Sequence, residues 1–139
     1  MSRRDARIAA MQMMYRNRLQ DVPGDTAVES ILNQFDMMSS DSLTIDDLRF
    51  SKSIIAGVEN NIDAIDSIIS DSTVNWKIER LPIVDLCILR MAIYEILYCQ
   101  DIPDSVAASE AIAIAAKYST DDASTYINGI LRSVIDSKS

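Results

Sequence analysis

The chain contains no histidine among its 139 residues, and its other scarcities are nearly as informative. Without histidine there is no Ser-His-Asp arrangement, no Cys-His pair and no imidazole metal ligand. The two cysteines, Cys87 and Cys99, stand alone in an apolar stretch with no C-x-x-C spacing, so they read as reduced thiols rather than metal ligands. Gly24, Gly57 and Gly129 are each isolated, which excludes a glycine-rich phosphate loop. Three glycines and three prolines are also too few for the turns of a sandwich or barrel. Aromatic residues make up only 6%, so a core must be assembled from Ile, Leu, Val, Met and Ala. No apolar run approaches the roughly 18 residues of a membrane span, and the N-terminus lacks the apolar core of a secretory leader. Paired carboxylates occur at Asp46/Asp47 and Asp121/Asp122, but at polar helix starts, where the helix dipole accounts for them. The expectation is a cytoplasmic binding module, not an enzyme, with no cofactor, metal or membrane attachment.

What is present is a 48% hydrophobic content, enough for one folded domain with a real core. Charge is spread unevenly. Residues 1–18 carry Arg3, Arg4, Arg7, Arg16 and Arg18 against Asp5 alone, a local +4, whereas residues 19–139 hold 8 basic and 20 acidic side chains, a local −12. A basic end on an acidic body can hold a polyanion locally while the body repels it. An ordinary solvated, arginine-rich first helix has the same composition.

Apolar spacing predicts seven helices and no strand, over residues 3–19, 26–38, 44–60, 62–70, 82–98, 105–118 and 121–136. The second and third open on Thr26-x-x-Glu29 and Thr44-x-x-Asp47, patterns that cap a helix start. The fifth begins at Pro82 and is apolar nearly all round apart from Arg90, which marks the central helix of a bundle. The sixth is alanine-rich and thin, so its neighbours can pack close.

Within the seventh lies Asn128-Gly129, a dipeptide that favours a hairpin turn. At about 100° per residue, however, Ile127, Ile130, Leu131 and Val134 form one unbroken apolar stripe through it, so helix wins over turn. Glycine in a helix interior costs about 1 kcal/mol relative to alanine. Gly129 falls on the side away from that stripe, where either another helix or a ligand could approach closely.

Several motifs then follow one another in order: Trp76-x-x-x-Arg80-Leu81-Pro82-Ile83-Val84-Asp85, Ile88-Leu89-Arg90-Met91-Ala92-Ile93-Tyr94-Glu95-Ile96-Leu97, Asp101-Ile102-Pro103, Ser109-Glu110-Ala111-Ile112 and Tyr126-Ile127-Asn128-Gly129-Ile130-Leu131. Together with Arg3-Arg4-x-x-Arg7 and Tyr15 in the first helix, this series resembles the NusB family of bacterial transcription antitermination factors. The resemblance covers nearly the whole chain, is most specific over 76–131 and is looser over 20–70. It implies an all-α, NusB-like domain over 1–139, built of two packed sub-bundles with a division near residues 72 and 73. It also implies binding of the single-stranded boxA element of nascent ribosomal RNA together with NusE, a ribosomal protein. Through that pair the chain would join an RNA polymerase antitermination complex, and a second copy of the chain is a further partner to consider.

The same resemblance assigns residues. On the RNA side it implies Arg3, Arg4, Arg7, Tyr15, Lys117, Asp122, Tyr126 and Asn128. Arginine suits phosphate through charge and forked hydrogen bonding, and aromatic rings suit unstacked bases. Asp122 would act by fixing geometry, since a carboxylate cannot hold a phosphate. On the NusE side it implies Asp85, Arg90 and Glu95, with Asp85 giving an acidic surface to a basic partner. The chain departs from the family pattern at Ala116 and Thr125, where lysine is common, at Ser109 for the usual Asn, at Ser119 for the usual Gly and at Tyr126 for the usual Phe. The missing lysines imply weak RNA binding alone and better binding with NusE. The alternative is an acidic helical protein-interaction module that docks NusE-like partners with little RNA affinity of its own.

Overall fold

The computed structural model describes residues 3–20, 44–73 and 77–138, with no strand among them. Helix α1 (Arg3–Gln20) is followed by α2 (Ile45–Asn60), α3 (Ile62–Ser72), a single 3-10 turn (Ile78–Arg80), α4 (Ile83–Tyr98), α5 (Asp104–Tyr118) and α6 (Asp121–Ser137). The chain is all-α in every described element, as its periodicity requires. The helix expected over 26–38, with its Thr26-x-x-Glu29 start, lies outside the described residues, as does Trp76.

The described residues form two units that divide between Asn60 and Asn61. This is earlier than the division near residue 72 implied by the family resemblance. The physical reason is α3, whose buried Ile65 and Ile69 give it a place against α4 and α6 rather than with the preceding helices.

In the first unit, α1 packs along α2. Ala6, Ala10, Met11, Met13 and Met14 from α1 are buried, as are Ile54, Ile55 and Val58 from α2. Small residues let the two backbones approach. Ser51 is fully buried and its hydroxyl donates to the Ala6 carbonyl at 2.7 Å, so a polar side chain at the contact keeps a partner. The expected start of α2 is present, with the Asp47 N–H donating to Thr44 Oγ1 at 3.1 Å.

In the second unit α4 is the centre. Its buried side chains, Asp85, Leu86, Cys87, Ile88, Leu89, Met91, Ala92, Ile93, Glu95 and Ile96, surround the helix axis, which explains why its sequence shows no polar face. The thin side of α5, with Ala107, Ala111 and Ala115 buried, packs against both α4 and α6. From α6 come Ala123, Ile127, Ile130, Leu131 and Val134, the stripe read through Asn128-Gly129. Pro82 precedes the first helical residue of α4 instead of occupying it. With φ −54° and ψ 142° it is extended, and its carbonyl accepts from the Leu86 N–H at 3.0 Å. Pro103 starts α5 in the same manner, with φ −59° and ψ 141°. At neither position is a donor N–H needed, and the ring's fixed φ suits both.

Two polar ties hold the unit's periphery. Arg90 makes a two-pronged pair with Asp66 of α3, at 2.8 Å for both the Nε and Nη2 contacts. At the far end of α6, Lys138 Nζ donates to the Ile96 carbonyl at 2.7 Å and to Asp104 at 2.9 Å. It thereby satisfies a carbonyl in the last turn of α4, which has no partner further along the helix.

Candidate nucleic-acid interface

The expected RNA-side residues fall into two sets, one in each unit. In the first, Arg3 and Arg7 are one helical turn apart and both lay their guanidinium groups over the Phe50 ring, 4.0 Å and 5.1 Å from its centroid. Arg3 is exposed, but Arg7 is only 4% exposed. Its planar, weakly hydrated head tolerates that burial against a ring. The Arg7 side chain lies in the packing of α1 against α2. Arg4 and Tyr15 are exposed and lie about 20° apart around α1, with the exposed Arg18 within about 40° of Arg4. Two arginines and a ring thus form one open stripe along the helix. Neither Phe50 nor Arg18 was implied by the motifs. Arg18 could have been found by helical phase from Arg4, whereas the pairing of Phe50 with α1 has no signal in the sequence.

In the second unit, Lys117 is exposed at the end of α5, with its ammonium 5.4 Å from the Tyr118 ring centroid. Asp122 and Tyr126 are one turn apart on α6 and share a face. Asp122 is exposed and Tyr126 half-buried. The start of α6 is fixed by Thr120, whose hydroxyl accepts from the Ala123 N–H at 3.2 Å. Asn128 lies about 200° around the helix from Tyr126, so the structure does not bring it to that face. Gly129 does lie there, about 60° from Tyr126 and one turn further on. It is exposed, and a methyl group added to it would meet no atom of the described structure within 4 Å. Among the described residues no helix crosses Gly129. Ala116 and Thr125 are exposed.

The three residues expected on the NusE side are turned inward. Asp85 and Glu95 are each 1% exposed, and Arg90 is engaged with Asp66. Among the described residues, α4 is flanked by α3, α5 and α6. Asp85 instead accepts hydrogen bonds from Ser119 and Tyr126, one on each carboxylate oxygen. Ser119 and Tyr126 thus both bring a hydroxyl to the same carboxylate. Burial pushes the Asp85 pKa up, opposed by the Ser119 hydrogen bond.

Among the described residues no cluster of acidic or cysteine side chains could hold a metal ion, and no helix is long and apolar enough to cross a membrane.

Comparison with known proteins agrees with this architecture. The NusB family model matches residues 4–136. A transcription antitermination protein NusB from Clostridium botulinum (strain Alaska E43 / Type E3) is 40% identical, over 97% of this chain and 98% of its own length. The one from Natranaerobius thermophilus is 42% identical, over 96% and 94%. Among solved structures, NusB of T. maritima superposes with a TM-score of 0.86 at 28% identity, covering 98% of this chain and 92% of that one. A crystal structure of antitermination factors NusB and NusE in complex with dsRNA shares the fold, with a TM-score of 0.77 at 21% identity over 97% and 96% of the two chains. With a family match across nearly its full length, and relatives that are antitermination factors rather than enzymes, the chain belongs to the NusB family of transcription antitermination proteins.

Proposed function

We propose that this chain binds boxA-type single-stranded RNA of nascent ribosomal RNA transcripts in the cytoplasm, weakly alone and more tightly as a pair with NusE. The observation that carries this reading is the face of α6, where the Tyr126 ring, the exposed Asp122 and the bare backbone at Gly129 adjoin one another. An unstacked base can lie on a ring, and a glycine lets a sugar–phosphate backbone come close to the helix. The first unit by itself carries the exposed Arg3, Arg4 and Arg18, suited to phosphate, and Tyr15, a ring suited to a base. The NusB structure solved with NusE and dsRNA supports both kinds of partner for this fold. The exposed Ala116 and Thr125 support weak binding without a partner protein.

The test is a titration of boxA-containing and scrambled RNA oligonucleotides, with and without NusE, at two salt concentrations. The expected result is a preference for boxA that grows when NusE is present. Replacing Arg4 by Ala should reduce the salt slope by about 0.7, the contribution of one phosphate contact to a single strand. Tyr126→Ala should weaken RNA binding with the helical content intact. A complex with no preference for boxA sinks the RNA reading and leaves the protein-interaction module.

A further inference from the structure

Tyr126 is not a free ring on a helix surface. Its hydroxyl donates to Asp85, in the first turn of α4, and the other oxygen of that carboxylate accepts from Ser119, at the corner joining α5 to α6. Three helices therefore meet at one buried carboxylate, and among the described residues no lysine or arginine pairs with it. An unpaired buried carboxylate is costly unless hydrogen bonds satisfy it. Here the two hydroxyls and the N-terminal end of the α4 dipole do so. Such an arrangement fixes the geometry of its donors. A tyrosine tethered through its hydroxyl has lost its χ1 and χ2 freedom before a base arrives.

We propose that Asp85 is a positioning residue for RNA binding: by holding the Tyr126 hydroxyl, with Ser119 on its other oxygen, it fixes the ring in the orientation on which a base stacks. The proposal rests on Tyr126 as the stacking ring and adds a function for a side chain that never reaches the RNA. It also gives α4 a route to the RNA face. Any change at the start of α4 that shifts Asp85 releases the ring.

The experiment measures binding of a fluorescent boxA RNA oligonucleotide to the full chain with NusE, for Asp85→Asn, Tyr126→Phe, their combination and Tyr126→Ala. Asparagine keeps the size of the side chain but removes the charge and one acceptor, while phenylalanine keeps the ring and removes the tether. Each single change should weaken binding by about 2- to 10-fold, the range expected for ordering one side chain at an interface. The double variant should be no weaker than either single one, because both break the same link. Ring signals of Tyr126 in the NMR spectrum of the free protein should show faster flipping in Asp85→Asn. A purely structural role predicts something else: Asp85→Asn would weaken binding equally in the Tyr126→Phe background. That additivity, or parental affinity in Asp85→Asn while Tyr126→Ala is impaired, overturns the proposal. Parental affinity in Tyr126→Ala instead removes the stacking reading itself, and the positioning role with it. If Asp85→Asn fails to fold, Ser119→Ala with Tyr126→Phe reads the same network without altering the buried carboxylate.

Discussion

Replacing Gly129 by Ala should stabilise the protein, and the size of the gain can be worked from its surroundings. Gly129 is the ninth of 17 residues in α6, well inside both ends, so its helix propensity counts in full. It is exposed, and an added methyl group meets no described atom within 4 Å, so among the described residues the substitution brings neither a clash nor useful burial. The remaining effect is the backbone entropy that glycine loses on folding, about 0.8–1.0 kcal/mol in a helix interior. With a urea m-value of about 1–3 kcal/mol per molar, the midpoint of unfolding should rise by roughly 0.3–1 M at unchanged m. In a thermal scan of a chain this long the same gain is about 3–5 °C. Far-UV circular dichroism suffices for both, since the described elements are helical. A midpoint that falls or stays put would refute the description of Gly129 as an ordinary exposed helical position. The same variant also probes function. The methyl would stand one turn from Tyr126, on the face proposed for RNA, so a protein that is more stable yet binds boxA RNA less tightly would explain why the glycine is there. Unchanged RNA affinity would place the RNA path elsewhere on α6.

Ile88 is fully buried at the middle of the second unit, and Ile88→Ala should cost about 2–5 kcal/mol in a denaturation experiment. A loss well under this range would mean that the core around α4 collapses readily into the space. Arg90→Ala breaks the two-pronged contact with the partly buried Asp66 and should cost about 1–3 kcal/mol. Retained stability in that variant would show the pair to be an idle surface contact. Asp85 has a folded-state pKa raised above its ordinary 3.8 by burial, so the folded chain holds that proton more tightly than the unfolded chain does. Its contribution to stability is therefore fullest below 3.8 and is lost as pH rises through the raised value. Asp85→Asn should remove that part of the stability–pH profile, and identical profiles for the two proteins would assign the slope to other groups.

Much of the architecture is legible in the order of residues. Helices α1 to α6 follow from three- and four-residue apolar spacing, the start of α2 from Thr44-x-x-Asp47, and the central place of α4 from the near absence of polar residues between Ile83 and Leu97. Periodicity also settles that Asn128-Gly129 lies in a helix. These are local properties, fixed by the geometry of one helix and by which side chains avoid water. The family follows from motifs in order along the chain, which likewise needs no knowledge of contacts.

What each polar side chain does was decided only by tertiary structure. Asp85 reads as an acidic surface residue beside Arg90 and Glu95, and becomes a buried acceptor because Ser119 and Tyr126, 34 and 41 residues away, arrive at its two oxygens. Arg7 reads like Arg3 and Arg4, yet α2 brings Phe50 beneath it and covers it. Gly129 could have been a helix contact or an open spot, and only the structure shows that no described residue packs against it. The physical reason is the same in each case. Hydrophobic spacing is a short-range signal carried by many residues at once, so it survives in the sequence. The hydrogen bonds to Asp85 and the contact of Arg7 with Phe50 each join residues far apart in the chain, and neither partner carries a mark of the other.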